Sequence, residues 1–306
     1  MNYSGKQSGI AIVIVLWMLA LLTIMATAYA KTTRTEMLTS SHFSHSAQAK
    51  GIAEAGIWLS IYELLKPDHE QTIAKDNTIT EIALDYGQAR ISILEETAKI
   101  DLNTARSELL AGLLYSVAKL EPERVATLVD AILDWRDRDN LVHPLGAEDS
   151  EYLKNGLSYG AKDGPFNTID ELLLVMGMDS KLFNQIKPVL TIHSHYPGIN
   201  PQLAPRNALL ALPGITVEEV DAYINKRKNN PDTSELPVGV DPRYFAKTRG
   251  NIFTVTSRGN QFDNNYIIEA VVFINHNNKP PYAVLSWVEN GLSLENNKEE
   301  DFNSYE

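Results

Sequence analysis

The chain has 306 residues, 44% of them hydrophobic and 22% charged, with a formal net charge of −12. That is enough apolar material for one large or two modest packed domains, whereas the acidic balance argues against a general nucleic-acid surface, which is basic. The absence of cysteine excludes disulfides, thiol chemistry and lipoprotein acylation.

Gly9 to Ala30 contains no charged residue. At about 1.5 Å per residue, a helix of that length matches the ~30 Å hydrocarbon core of a bilayer. The expectation is a membrane span over residues 10–30 behind a short leader, 1–9, with one basic residue, Lys6. Two processing signals compete. Gly9-Ile10 stands before the apolar run, where a prepilin-type peptidase would cut and leave the run on the mature chain. Ala28-Tyr29-Ala30 stands after it, in the small-x-small pattern of ordinary signal peptidase, whose cut would release a soluble protein. An uncleaved anchor is the third reading. The run exceeds the ~7 to 15 apolar residues of a usual signal peptide, which favours the first. Lys6 and the terminal amine face Lys31 and Arg34 across the span, so charge alone does not orient it.

The helical pattern continues from Lys31 to Leu65, with Ala49, Ala53, Ile57 and Ile61 at i, i+4 spacing as a face to be laid on a sheet, and Pro67-Asp68 as the stop. Trp58 and Trp135 fall among apolar helical positions and are expected in the core. Strands are predicted at 80–84 and 89–94, joined through Tyr86-Gly87. A helical pattern then holds for over a hundred residues before strands return at 252–257, 266–273 and 282–288. Arg258-Gly259-Asn260 and Asn275-His276-Asn277-Asn278 separate these last three.

Strands flanking a helical block imply an α+β fold: a long N-terminal transmembrane and amphipathic helix packed on an antiparallel sheet, with a large all-helical insert. Residues 31–98 and 240–294 would form the α/β domain, 99–239 the insert, and 295–306 an acidic, Asn-rich tail.

The insert carries an internal repeat. Ile100-Asp101-Leu102-Asn103-Thr104-Ala105 is echoed by Ile199-Asn200-Pro201-Gln202-Leu203-Ala204, and Asp130 to Arg136 by Asp221 to Arg227. Between them, Gly164 to Met178 opens on turn residues and a Thr168 cap before an apolar helix. These units resemble helix-hairpin-helix (SAM-like) modules, which elsewhere grip a DNA phosphate with hairpin backbone N–H groups. A membrane-anchored DNA-uptake receptor of the ComEA type is therefore the alternative function. Against it, the hairpin needs a flexible Gly-x-Gly, and Pro213-Gly214-Ile215-Thr216 has Thr as the second member. Met176-Gly177-Met178-Asp179 places a carboxylate there, and the first unit has no Gly between Leu114 and Lys119.

Six acids fall between Asp134 and Tyr152, in two clusters separated by Pro144 and Gly146. Converging carboxylates repel unless a cation or protonation relieves them, and oxygen ligands on an irregular loop suit Ca²⁺. The competing reading is a solvated loop whose acids pair with Arg136 and Arg138.

A short leader ending in Gly9, an apolar mature start and a continuing amphipathic helix resemble a type IV pilin or type II secretion pseudopilin. Most of these carry Glu at the fifth mature position; counting from Ile10, this chain has Ile14. A Glu in the bilayer suits only a subunit whose neighbour can neutralise it. An apolar Ile14 is what a tip subunit with no neighbour above it could have. Together with Asp134-Trp135-Arg136-Asp137-x-Asp139 and Gly146-Ala147-Glu148-Asp149-x-x-Tyr152, this resembles the K-class minor pseudopilins (GspK family).

The resemblance implies a structural, non-enzymatic role in protein export, with the chain anchored in the inner membrane and its bulk in the periplasm. It further implies cleavage after Gly9 and methylation of Ile10 by the prepilin peptidase, I- and J-class minor pseudopilins and the inner-membrane secretion platform as partners, and calcium in the helical part. Asp137, Asp139, Glu148 and Asp149 are the ligands expected, with Asp134 and Glu151 as reserves.

Two decoys remain. Gly156-Leu157-Ser158-Tyr159-Gly160 matches a nucleophile elbow without the strand before it or the helix after it. His193 and His195 are two apart with no evident third metal ligand, and are expected at the surface.

Overall fold

The computed structural model describes residues 8–85, 87–230, 236–246, 250–262 and 264–292. Leader residues 1–7, Tyr86 of the predicted turn and the tail 295–306 lie outside them.

Helix α1, Ser8–Leu65, runs unbroken for 58 residues, roughly 85 Å at helical rise. No proline interrupts it before Pro67, and threonine hydroxyls at 23, 27, 32, 35 and 39 bond back to carbonyls one turn earlier. Only its C-terminal part packs on the rest of the chain. Ala53, Ile57, Ile61 and Leu64 are buried there against Ile93, Phe253, Val255, Ile268, Ala270, Val272 and Ile274.

The sheet holds five antiparallel strands in the order β1 (Thr80–Leu84), β2 (Gly87–Glu95), β5 (Ile252–Gln261), β6 (Asn264–Ile274) and β7 (Tyr282–Leu292). Neighbours β2 and β5 pair from Gln88↔Asn260 to Glu95↔Phe253, across all the helices that lie between them in sequence. An α+β architecture follows, with one long apolar helix on one face of the sheet.

Three local expectations need correcting. Arg258-Gly259-Asn260 does not separate strands; it lies inside β5. Gly259 is there because α1 comes so close that an added Cβ would sit 2.1 Å from the Ala49 carbonyl oxygen and 2.5 Å from the Ala53 nitrogen. Trp58 is 47% exposed rather than core, its ring lying beside Tyr282 and Trp287 at centroid distances of 6.1 and 6.3 Å. Trp135 is buried, 3% exposed. Finally, Ile169–Leu174 forms a 3-10 helix, and Thr168 makes no side-chain cap bond to it.

Between β2 and β5 the chain forms a separate apolar core, with Leu102, Leu109, Leu113, Leu128, Ile132 and Leu209 among its least exposed members. Its helices are α2 (Ser107–Gly112, continued by a π turn to Val117), α3 (Pro122–Arg136), α4 (Asp149–Lys154), α5 (Ser180–Ile186), α6 (Arg206–Leu210) and α7 (Val217–Asn229). Two short parallel strands, β3 (Ile100–Asp101) and β4 (Leu190–Thr191), join its start to its middle. Glu96 ties it to the sheet. This buried carboxylate accepts from Thr254 on β5 and Thr191 on β4 and pairs with Lys99 at 2.9 Å.

Candidate functional site

Pro122 at the first turn and Glu123 beside it start α3, whose apolar face carries Val125, Leu128, Val129 and Ile132 into the core. That packing takes Asp134 and Trp135, on the last turn, inside as well. Asp134 is fully buried. It accepts from the His143 backbone N–H at 3.2 Å and meets His143 Nδ1. The chain turns back sharply enough that a Cβ on Gly146 would lie 2.0 Å from Asp134 Oδ2. Ligand atoms of Asp134, Asp137 and His143 all lie within 4.8 Å of one another.

Glu148 is 5% exposed. It stands at the N-cap of α4 facing the Glu151 amide, yet neither carboxylate oxygen has a well-formed hydrogen bond. Burial, then the charges of Asp134, Asp163, Asp137 and Asp149, push its carboxyl up to about 7. Asp163 adds another buried oxygen with no partner, on a residue in the left-handed region at φ 53. Burial chiefly, and then the charges of Asp139 and Asp134, also raise Asp137. The donor-free oxygens of Glu148 and Asp163, beside the Asp134 and Asp137 carboxylates that repel them, are hard ligands whose chemistry would fit a cation such as Ca²⁺.

The predicted ligands are thus distributed unevenly. Asp137 and Glu148 lie in the cluster, and Asp134, a reserve in the sequence, is at its centre. Asp139 is exposed and accepts from the Leu141 amide of its own loop at 3.0 Å. Asp149 is exposed at the start of α4, close against Gly160. Glu151 accepts from the Glu148 backbone, Ser150 and Lys154, so it works as a helix cap. Asp163 was missed. It lies outside both acid clusters, and only its place before Gly164-Pro165, which turns it inward, could have signalled it.

The hairpin corners form a second candidate surface. Lys119, Gly177 and Gly214 adopt φ of 58, 89 and 81, and each is followed three residues later by a helix start, at Pro122, Ser180 and Val217. Lys119 is the equivalent of the two glycines, which its residue type hides. At the second and third corners the amides a phosphate would need are already occupied. The Asp179 carboxylate accepts from Leu182 N at 2.8 Å and pairs with Arg124, while Thr216 and Glu219 cap α7 reciprocally. These two corners present carboxylates where a nucleic-acid grip presents bare N–H groups.

Ser158 lies in an irregular segment after α4, with no strand before it. His195 is exposed, whereas His193 is half-buried, and burial lowers its pKa. In the apolar part of α1, Ile10 is 67% exposed. Ile14 lies in an apolar surface groove with Val13, Trp17, Met18 and Leu21.

Comparison with known proteins follows the same division. A family model described as type II secretion system (T2SS), protein K, matches residues 94–195, and one described as PilX N-terminal matches residues 8–57. Type II secretion system protein K of Klebsiella pneumoniae is 26% identical over 229 residues, 67% of this chain and 70% of that one. The protein of the same name from Pectobacterium carotovorum subsp. carotovorum is 27% identical over 207 residues, 60% of this chain and 62% of that one. A chain in the crystal structure of the GspK-GspI-GspJ complex from enterotoxigenic Escherichia coli superposes with a TM-score of 0.54 at 20% identity, covering 85% of this chain and 99% of that one.

Proposed function

Because the chain is a minor pseudopilin of the type II secretion protein K family, we propose that it occupies the tip of the pseudopilus and helps to prime its assembly for protein export. The observation that carries this is the pairing of β2 with β5 around a helical block, behind a single long apolar helix. The helix supplies an element that packs among others in the membrane. The block adds bulk that would forbid another subunit above. Ile14 supports the same placement, since a subunit with nothing above it gains nothing from a carboxylate in the bilayer.

Under this reading the prepilin peptidase cleaves after Gly9 and methylates Ile10, the 10–30 span anchors the chain in the inner membrane, and the folded part stands in the periplasm. I- and J-class minor pseudopilins and the inner-membrane secretion platform are its partners. Calcium belongs to the same proposal. Asp134, Asp137, Glu148 and Asp163 would hold it, with Asp149 at the rim, and the ion would neutralise the buried carboxylates that have no donor of their own.

The test is the mass of the N-terminal peptide from native membranes. An N-methylated Ile10 is expected. A terminus at Met1 or Lys31 would overturn the processing and with it the route into a pseudopilus.

A further inference from the structure

Charge is divided unevenly along the chain. Before Lys50 the charged residues are Lys6, Lys31, Arg34 and Glu36, a balance of +2, and residues 50–306 carry the remaining −14. Lys31 and Arg34 stand on the first turn of α1 after Ala30, where the apolar span ends. Both are exposed, and neither forms an ion pair with a described residue. No acid competes for them. At roughly 100° per residue, Glu36 lies about 140° round the helix from Lys31 and about 160° from Arg34.

The packed part above defines which side of the helix the pair occupies. Eighteen residues make five turns of ~3.6, so Lys31 and Arg34 lie directly below Ala49 and Ile52, both buried against the sheet. The pair therefore faces the space under the sheet. The roof of that space is the turn after β5, where Gln261 bonds to Gln48 at 3.0 Å and Phe262, 79% exposed, sets its ring 4.8 Å from that of His45. About 21 Å of helix separates Lys31 from His45, and no described residue covers it. With residues 10–30 in the hydrocarbon, the floor is the headgroup layer.

We propose that Lys31 and Arg34 bind the phosphate of an anionic phospholipid in the leaflet nearer the folded part, on the side of α1 beneath the sheet. The inference rests on the 10–30 span. The guanidinium offers a fork to two phosphate oxygens and the ammonium a further donor. Both aliphatic stems can lie along the helix while their charged ends stay at phosphate level. Position and charge select lipid over protein as the occupant. The two cations stand where phosphates are the commonest anions, and a folded part carrying −14 would otherwise be repelled by the surface below it. The contact fixes the depth of the span and offsets that repulsion.

Phosphatidylglycerol and phosphatidylcholine are offered together to the full-length chain in detergent, and the lipid retained is read by native mass spectrometry. From the usual gain for two basic residues at an anionic surface, a preference of about tenfold or more for phosphatidylglycerol is expected. Lys31→Gln with Arg34→Gln should abolish it, and Lys31→Arg with Arg34→Lys should keep it. Lys181→Gln with Lys228→Gln, the same loss of charge at exposed positions of the helical block, should leave it unchanged. Excess inorganic phosphate should not displace the lipid; displacement would make this a site for soluble anions and overturn the proposal. Indifference of the wild-type chain to headgroup charge, or equal retention by the glutamine pair, overturns it as well. If the glutamine pair keeps the lipid but loses co-purified minor pseudopilins, the face belongs to a protein and the proposal falls. A wild-type chain recovered outside the membrane fraction overturns the span itself, which every other outcome leaves standing.

Discussion

Arg136 and Arg227 do the same thing in the two repeats of the helical block. Arg136 donates to the carbonyl oxygens of Leu102 at 2.6 Å and Ala105 at 2.8 Å. Arg227 donates to those of Pro201 at 2.7 Å and Ala204 at 3.0 Å. Leu102 and Pro201 hold equal places in the repeated turns, as do Ala105 and Ala204. Each arginine sits near the end of the second helix of its unit and reaches back to the turn that began it. Burial lowers both guanidinium pKa values, yet a guanidinium remains charged and its fork satisfies two acceptors at once.

Arg136→Ala strands two carbonyls that the turn cannot pair otherwise. Each buried acceptor left unmade costs about 1–3 kcal/mol, so a loss of about 2–6 kcal/mol is expected in urea unfolding, and Arg227→Ala should fall in the same range. An unchanged midpoint in either variant would show that water replaces the guanidinium.

The two glycines that face opposite ways on α1's surroundings should respond oppositely to alanine. Gly259→Ala drives a methyl into the Ala49 and Ala53 backbone, which cannot rotate away, and should cost about 3 kcal/mol or more as α1 lifts from the sheet. Gly51→Ala meets open space and should stabilise the uncomplexed chain by about 1 kcal/mol. Paired thermal melts decide it, and a stable Gly259→Ala chain would mean that α1 is not seated as closely as described.

Calcium should raise the Tm and EDTA should lower it, because an ion that binds only the folded loop stabilises it by mass action. Glu148→Gln separates charge from volume. It removes one buried, unpartnered carboxylate, so the metal-free variant should melt no lower than the metal-free parent, while most of the calcium-induced rise disappears. A parent whose Tm ignores both calcium and EDTA would leave the acids of this loop without a metal.

Acid should loosen the end of α1. Burial opposes ionisation of Glu63, but Lys66, the Thr72 amide and the Thr72 hydroxyl outweigh it and bring its carboxyl to about 2, from an ordinary 4.5. A folded pKa below the unfolded one gives stability that is complete above 4.5 and is lost as pH falls from there towards 2. Glu63→Gln should therefore cost on the order of 1.5–3 kcal/mol at pH 7 and almost nothing at pH 2. A pH-independent difference between the two chains would refute the assignment.

Ile14→Glu should be poorly tolerated if the tip position depends on an apolar residue there. Secretion by cells carrying only this variant is the readout; normal export would count against that mechanism.

Much of the fold was legible because its signals are local. The i, i+4 stripe of α1 and the alternation in the strands each announce a period and a buried face, and the repeated Ile-Asx turn announces the two halves of the helical block. What escaped depends on partners distant in sequence. Gly259 looked like a turn because nothing nearby shows that a helix will lie across it. Trp58 looked like core because its wheel position does not reveal where the sheet ends. The arginine contacts end on backbone carbonyls, which leave no trace in residue type. In the acidic loop, residue type located the cluster but not its members, since nothing in the two aspartates tells that Asp134 is carried inward on the last turn of α3 while Asp139 lies exposed beyond it.

The pairing of β2 with β5 also has a consequence for the order of folding. A strand emerging from synthesis as β2 has no mate until Ile252–Gln261 has been made, and closing so long a loop from a disordered chain is slow and entropically costly. If the helical block condenses first, through its local hairpins, β3–β4 pairing closes its first half, and the Asn200 amide on the Thr97 carbonyl with the Ile199↔Phe245 bridge brings its far end beside β2, so the open loop shrinks to a short gap. The sheet then closes last, on a scaffold already built, and until that moment the inner face of α1 has little to rest on but the first hairpin.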